Sequence, residues 1–458
     1  MASRVIDPDD FDRVEKLLVD AGQAPTFDAA RALLETYRLQ IAIGVDACAD
    51  PAWQAAALTA VNAGARAVHG GVRVLLGRDE RCRVPIAYGR RLSAALAAYG
   101  ATLVEELEPD VPTIAFGHRA VSGLDAPTVH TSASTWTARV TAGAGTADEP
   151  EAGSASVTAA VMSAALAVSE CFQRLRGHVV AADRSFGVSL WRPDRDVEDP
   201  LAEGPPITEL PASLWLLGLG HLGQGYAWLL GLLPYPLKGA RALGLQDDDR
   251  LSHANRATSM LHLGQHIGVR KTRLVGGTLE RLGWDTRLVE HRYLGGPLRG
   301  DADPATLLVG VDNVQARRLL DQTQFPEIVD VGLGAGPDGF LGITVRRLPG
   351  RRSSQETWTA AAPRAVGPPR GAERAYRALE QHSGDRCGVE QLAGRTVATA
   401  FVGVTAACWA IGGLLRELHG GARLELLDHT LREPAAVTAL AASDTRPPRV
   451  PTVAAVEL

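Results

Sequence analysis

The chain predicts an α/β protein built of two parallel-sheet units in tandem, and three observations carry that expectation. An apolar run at residues 213–217 leads into a turn with glycines at Gly218, Gly220 and Gly223, followed by a second apolar stretch at 226–233. This is the pattern of strand, tight turn and helix N-terminus that admits a phosphate to backbone N–H groups. Two further apolar runs, 240–246 and 306–311, end in acids, Asp247-Asp248-Asp249 and Asp312-Asn313. Finally, the first 190 residues go through the same order of apolar runs as the remainder, without the glycine turn.

Taken in order, residues 1–36 read as helical, with Phe11, Val14, Leu17 and Leu18, then Ala29, Ala32 and Leu33, near helical spacing. Strands are expected at 39–44, 72–76, 101–106, 112–117 and 135–140, with helices at 51–66 and 92–100. A Gly/Ala/Ser-rich acidic segment, 143–156, precedes a long helix at 157–176. Beyond it, 214–218 parallels 39–43, 283–290 parallels 100–105, 306–310 parallels 113–117, and 396–418 parallels 157–175. The separation between equivalents only widens, as in a repeat whose second copy carries insertions. The polar, proline-bearing run 191–211 reads as a linker. The expected organisation is a degenerate, inactive unit at 1–190, the linker, and an active unit at 212–458. Within the second unit, 327–336 reads as a strand and glycine-rich turn, 343–347 as a strand, and 348–386 as one long polar loop. The end, from 423, reads as a strand to 427 and then proline-bearing coil.

The acids and the lysine of the second unit separate two kinds of nucleotide site. A carboxylate at the end of the second strand, Asp247, suits ribose hydroxyls. Asn255 follows eight residues after Asp247, Lys271 sixteen after Asn255, and Asp312-Asn313 begins a D-N-x-x-x-R run ending at Arg317. An NAD(P)-dependent oxidoreductase has no need of Lys271 and a second acid. A nucleoside triphosphate does: an acid for ribose, a lysine for phosphate and an acid for Mg²⁺.

These residues resemble the adenylation domain of the ThiF/E1 family, the ubiquitin-activating and sulfur-carrier-activating enzymes. That pattern is G-x-G-G-x-G-S, D-x-D with Asn eight residues on, Lys sixteen after the Asn, and D-N-x-x-x-R. The last three spacings match, and the resemblance spans about 213–427. His221 and Gln224 replace a glycine and the serine of the loop. Thr258 stands at the family's arginine, with Arg256 two residues earlier. The resemblance implies a Rossmann-like adenylation fold and, with the first unit, a tandem pseudodimer of an inactive and an active copy. It implies ATP and Mg²⁺ as ligands, with Gly218, Gly220 and Gly223 around the nucleotide, Asp247 on ribose, Asn255, Arg256 and Lys271 toward the phosphates, and Asp312 on Mg²⁺. Asp249 is structural or a second ribose contact. It also implies a crossover loop at 348–387 ending in a nucleophile, Cys387, that takes an acyl group or carries a persulfide. Arg386 and a following helix N-terminus would favour the thiolate there, and Asp385 would oppose it. An arginine from the other unit's N-terminal helix is expected at the phosphates, Arg31 or Arg38 by position. The implied partner is a ubiquitin-like or sulfur-carrier protein ending in Gly-Gly, with an E2-like protein as a possible second partner. A peptide or small-carboxylate acceptor, a catalytically silent adaptor and an NAD(P)-dependent enzyme remain alternatives.

Composition narrows the setting. With 47 basic and 52 acidic residues the net charge is −5, which argues against a general nucleic-acid binder. Five scattered cysteines point to a reducing compartment, and a cytoplasmic protein is expected. No C-x-x-C pair is present for a structural zinc, and His253, His262 and His266 are not spaced for one. The uncharged stretch 397–415 is long enough to span a membrane. Its Ala, Gly and Thr content reads instead as a buried core helix, with Cys408 inside it.

Overall fold

The computed structural model describes residues 5–117, 127–143, 155–236, 239–359, 367–442 and 453–456. Helices α1 (Arg13–Asp20) and α2 (Phe27–Thr36) open the chain. The first sheet is then laid down by β1 (Leu39–Ile43), α3 (Val45–Ala49), α4 (Pro51–Ala67), β2 (Val72–Leu76), α5 (Leu92–Ala98), β3 (Ala101–Val104), β4 (Thr113–Phe116), β5 (Thr128–Ala133), β6 (Thr137–Ala142), α6 (Val157–Leu175) and β7 (Phe186–Ser189). After β8 (Glu209–Pro211), the second sheet begins with β9 (Ser213–Leu217), α7 (His221–Leu232), β10 (Ala242–Gln246), α8 (Lys271–Glu280), β11 (Asp285–Val289), β12 (Thr306–Val309) and α9 (Val314–Arg318). It continues through β13 (Glu327–Leu333), α10 (Gly336–Gly339), β14 (Gly342–Leu348), α11 (Ser354–Thr359), α12 (Glu373–Ser383), α13 (Arg386–Gly394), α14 (Ala400–Leu418), β15 (Leu424–Thr430) and β16 (Val437–Ala441). The short strand β17 (Val453–Ala455) pairs with β8.

The sheets run β3-β2-β1-β4-β5-β6-β7 and β11-β10-β9-β12-β13-β14-β15-β16. Both are parallel through their first five strands and antiparallel beyond. Counted within its own sheet, each therefore has the order 3-2-1-4-5-6-7, the second with one added edge strand. The central strands β1, β4 and β12 are buried along their whole length. Parallel strands covered on both faces need continuous apolar runs, and this is what made them visible in the sequence. Helix α4 starts where Pro51 follows Asp50, whose carboxylate accepts from the N–H groups of Ala52 and Trp53.

The helices α4, α6, α7 and α14 lie between the two sheets. Helices α6 and α14, equivalent in the repeat, pack on each other, with Phe172 and Phe401 at 5.6 Å between ring centres. The other equivalent pair, α4 and α7, is joined by the indole N–H of Trp228 donating to the Thr59 hydroxyl at 3.0 Å. One apolar core runs through both halves. The stretch long enough for a membrane is α14, and it is buried inside this core. Its small residues have a local cause: a Cβ on Gly225 of α7 would lie 2.7 Å from the Gly403 carbonyl oxygen of α14.

Several expectations need correction. Strands β5 and β7 were not foreseen. The run 348–386 is not one loop: it holds α11 and α12, and only 360–366 lies outside the described residues. Helix α12 buries just Ala375 and Tyr376 near its start, so its apolar stripe is too short to stand out among its charges. Helix α13 begins at Arg386, so Cys387 lies in its first turn rather than ahead of a helix. The end of the chain is not coil after residue 427, since β15 runs to Thr430 and β16 and β17 follow. The run 191–211 is no loose tether. Trp191 stacks at 5.1 Å from Trp136, whose indole N–H donates to the Pro205 carbonyl at 2.7 Å. Most of the segment 143–156 lies outside the described residues.

His429 of β15 gives a test of the core. Its Nδ1 accepts from the Trp409 indole N–H at 2.9 Å, and its Nε2 lies 2.9 Å from the Pro434 carbonyl, so the ring is held neutral. Burial pushes its pKa down to about 4. The unfolded chain takes up a proton near pH 6.5 and the folded chain does not. Stability is therefore full above about pH 6.5 and falls as the pH drops toward 4, by up to about 3 kcal/mol from this one residue. Chemical denaturation at pH 7 and pH 4.5 should show a shallower loss for His429→Phe than for the unchanged chain; equal losses would contradict this reading.

Candidate functional site

The glycine turn sits at the C-terminal end of β9, beside the point where the strand order reverses between β9 and β12. In open parallel sheets that crevice is where ligands bind. The three glycines have different reasons. Gly218 has φ +85°, and a Cβ there would meet the backbone of Gly310 and Val311 at 2.9 Å. Gly223 brings α7 against the strand, since its Cβ would lie 2.1 Å from the Gly218 carbonyl oxygen. Gly220 is the residue just before α7, and a Cβ there would meet no protein atom within 4 Å. Protein packing thus explains Gly218 and Gly223, while Gly220 leaves room at a helix N-terminus for an anion.

The two departures from the loop pattern are absorbed by the protein. Gln224 is fully buried, and its Oε1 accepts from the Leu261 N–H at 3.0 Å. His221 turns against α14, its ring where a Cβ of Gly403 would be, and burial lowers its pKa to about 4. Neither side chain is a charged group aimed at a phosphate. Thr258 is likewise buried.

At the end of β10, Asp247 closes on the loop: its Oδ2 accepts from the Leu219 N–H at 2.6 Å and its Oδ1 from Asp249 N–H at 2.8 Å. Burial raises its pKa, opposed by the nearby Lys271 charge and these two N–H groups. Lys271 opens α8, with its Nζ 2.7 Å from Asp249 Oδ2. Asp249 is therefore the lysine's partner in the free protein. The carboxylates of Asp247, Asp248 and Asp249 come within 4.8 Å of one another. Across the crevice, Asp312 is exposed just past β12. Asn313 caps α9, accepting from Gln315 N–H at 2.8 Å. Arg317 points inward, donating to Asp330 Oδ1 at 2.8 Å and to the carbonyls of Val311 and Val331, with Trp358 of α11 stacked over its guanidinium at 4.7 Å.

Asn255 and Arg256 lie on a 3-10 turn, His253–Ala257. The Asn255 Oδ1 caps that turn by accepting from Ser252 N–H at 2.9 Å, and the Arg256 side chain is exposed.

The first half's N-terminal helix also reaches this edge, but not through the arginines expected. Arg31 is engaged by Glu15 at 2.8 Å and Arg38 by Glu108 at 2.6 Å, both within the first half. Arg13, the first residue of α1, donates to the Thr396 carbonyl at 3.1 Å and lies in the field of Asp312. Its neighbour Asp12, half-buried, lies in the field of Arg256. The segment was missed because α1, not α2, crosses to the second half, and spacing within a helix does not say which helix crosses.

Cys387 is the exposed one of the five cysteines; the others are buried. Asp385 caps α13, its two oxygens accepting from Gly388 N–H at 3.0 Å and Ile6 N–H at 2.9 Å, which hold its carboxyl below the usual range. Arg386 faces Glu390 at 2.8 Å rather than the thiol. The main packing partners of α13 are α12 and the turn Pro8–Asp10. Cys387 thus lies on a helix packed against the N-terminal segment, whose turn Pro8–Asp10 in turn packs on the turn His253–Ala257.

Gly220, the end of α7, and the carboxylates of Asp247 and Asp312 fit a Mg²⁺-bound nucleotide triphosphate, with Lys271 and Arg256 as its cationic side.

Comparison with known proteins agrees on family. Residues 38–190 match the family model of the BilD N-terminal domain, and residues 210–421 that of the BilD C-terminal domain. A bacterial E1-like protein BilD from Collimonas sp. (strain OK412) is 36% identical over 424 residues, covering 91% of this chain and 90% of the relative. Among solved structures, E. coli MccB with MccA-N7isoASN is similar over 52% of this chain and 66% of that one, at 13% identity and a TM-score of 0.34. PaaA is similar over 50% and 72%, at 13% and 0.34. E. coli tRNA N6-threonylcarbamoyladenosine dehydratase, TcdA, is similar over 46% and 86%, at 14% and 0.28. With both domain models matched in order and a relative aligned along nearly its whole length, the chain belongs to the BilD family of bacterial E1-like proteins.

Proposed function

We propose that the second half binds ATP·Mg²⁺ and adenylates the C-terminal carboxylate of a small carrier protein, and that Cys387 then takes the acyl group as a thioester. One observation carries the reading: the glycine turn, Asp247 and Asp312 converge from three adjacent parallel strands on one crevice, in a chain of an E1-like family. The organisation that goes with it is an inactive unit at 1–190, a linker at 191–211 and an active unit at 212–458. A carrier of ubiquitin-like or sulfur-carrier type ending in Gly-Gly fits the E1-like family, with an E2-like protein to receive the thioester, and the setting is cytoplasmic.

In the first step a carboxylate oxygen attacks the α-phosphorus, the bond to the bridging oxygen of the β-phosphate breaks, and pyrophosphate leaves. The protein's share is alignment and charge compensation. Gly218 and Gly220 let the phosphates approach the N-terminus of α7. Asp247 exchanges its backbone N–H partners for ribose hydroxyls. Lys271 and Arg256 face the phosphates, and Arg13 adds a third cation from the first half. Asp312 would hold Mg²⁺, whose charge would offset that of the leaving pyrophosphate. In the second step the Cys387 thiolate attacks the acyl carbon and AMP leaves, its phosphate oxygen taking the bond electrons. Because α13 packs on α12 and the N-terminal segment, that step needs α13 to move toward the crevice.

Asp312→Ala should abolish exchange of pyrophosphate into ATP in the presence of the carrier, and full exchange would sink the assignment. Arg13→Ala should slow adenylation by about 10²-fold or more, on the scale of losing one charge-stabilising donor, while Arg31→Ala and Arg38→Ala stay near the unchanged rate; the reverse ranking would exclude Arg13. For Cys387→Ala, adenylate should still form and the DTT-sensitive adduct with the carrier should vanish. An adduct that persists there assigns the acyl group to another thiol and removes Cys387 from the role, and adenylation by the unchanged chain with no adduct at all means that the chemistry stops at the adenylate.

A further inference from the structure

The segment from Leu251 to Arg270 holds both Asn255 and Arg256, yet it contains only two short 3-10 turns and joins no sheet ladder. Something outside must fix it. Its free carbonyls point across the seam at α4, in the half without a nucleotide motif. There Arg66 is buried, 6% exposed. Its Nη1 donates to the Arg256 carbonyl at 2.7 Å, and its Nη2 to the carbonyls of His262 at 2.9 Å and Met260 at 3.3 Å. Its Nε donates to Asn62 Oδ1 at 3.0 Å, and the Asn62 amide donates in turn to the Met260 carbonyl at 2.9 Å. One turn of α4 thus grips three carbonyls of the segment.

We infer that Arg66, oriented by Asn62, is a positioning residue of the nucleotide site, fixing from the first half the turn that presents Asn255 and Arg256. The inference rests on the adenylation reading for what the turn does, and not for the clamp itself. The planar guanidinium suits the task, since its rigid fork meets several acceptors at once, which a lysine cannot do. Burial lowers its pKa only to about 10, so it stays charged at neutral pH. The clamp holds the backbone carbonyl of Arg256 while the side chain of that residue remains exposed. Arg66 therefore touches neither ligand nor reacting atoms, and acts through the placement of its neighbour. From the second half, among the described residues, Gln224 accepts from Leu261 N–H at 3.0 Å and the exposed Arg250 side chain donates to the Gly268 carbonyl at 2.8 Å, neither of them on the stretch from Arg256 to Met260. The first half is on this account a part of the nucleotide site, and its loss of nucleotide motifs leaves it under a structural demand at α4.

The test uses the full chain and its carrier. Arg66→Met should raise the KM for ATP in pyrophosphate exchange by about 10- to 100-fold, the range seen when supporting residues of a site are removed, with the KM for the carrier unchanged. Arg66→Lys should fall between. Thr59→Val removes the Trp228 hydrogen bond across the same seam without touching residues 251–270, and should keep the KM for ATP whatever it does to the melting temperature. An unchanged KM for ATP in Arg66→Met, or an equal rise in Thr59→Val, overturns the inference. Amide hydrogen exchange without nucleotide supplies the second measurement. Arg66→Met should speed exchange at residues 255–263 selectively, and uniform or unchanged exchange overturns the clamp. If the unchanged chain catalyses no exchange of pyrophosphate, the adenylation reading fails, and hydrogen exchange still decides the clamp.

Discussion

Between the two sheets, α4, α6, α7 and α14 meet in a largely apolar seam, where Ala and Gly let backbones approach and Phe172 packs on Phe401. Packing of this kind is non-directional and tolerates no voids. The consequence is that the halves are not two domains on a tether: one apolar core runs through both, and each pays out groups to the other's surface. Two polar contacts cross it from α4, the Thr59 hydroxyl accepting from the Trp228 indole and the Arg66–Asn62 pair donating to carbonyls of residues 256–262. Once the seam is set, α4 is held over residues 253–263, and α1 lies against α10 and the turn His253–Ala257. The charged contacts at the crevice follow from that placement.

The N-terminal segment is the second structural bridge. Ile6 N–H donates to the Asp385 carboxylate, Asp9 pairs with Arg395 at 3.2 Å, Arg13 donates to the Thr396 carbonyl, and Tyr376 donates to buried Asp20 at 2.7 Å. Lys16 completes the last contact as the ion partner of Asp20. These bonds flank α12 and α13, the second of which carries Cys387. The same segment brings Asp12 toward Arg256 and Arg13 toward Asp312. Nucleotide side and thiol side are thereby joined through fewer than twenty residues of the first half. On the far side of the crevice, Asp330 of β13 is shared between Arg317 of α9 and the Trp358 indole at 2.9 Å, which ties α11 to α9 and β13. Removing one partner of such a buried pair costs about 3–5 kcal/mol, so this arm is expected to stay in place, while α13 is held by the more exposed bonds to Ile6 and Asp9.

Much of this was legible in the sequence. Buried parallel strands are continuous apolar runs, so β1, β4, β9 and β12 could be read directly, and with them the two-fold order of the chain. Gly218, Asp247 and Asp312 lie where the apolar runs put them, just past β9, β10 and β12, and Lys271 opens α8; their part in binding a nucleotide belongs to the proposal. What could not be read depends on contacts between distant segments. Arg13, and not Arg31 or Arg38, faces the crevice because of how α1 packs across the seam. Arg66 looks like any arginine at the end of an alanine-rich helix. Helix α12 hid behind its own charges, since Ala375 and Tyr376 make too brief an apolar stripe. Gln224 and His221 looked like defects of a phosphate loop, and turn out to be tied up by Leu261 and α14.

The account's central claim is that the nucleotide site lies in the second half and is completed by the first. A structure of the full chain with Mg²⁺ and a non-hydrolysable ATP analogue tests it most directly. The account predicts one nucleotide per chain, its phosphates over Gly220, with Arg13 and Arg256 both within about 3.5 Å of phosphate oxygens. Nucleotide in the first half, or phosphates in the second half with no residue of the first within about 6 Å, beyond even a water-bridged contact, would contradict it.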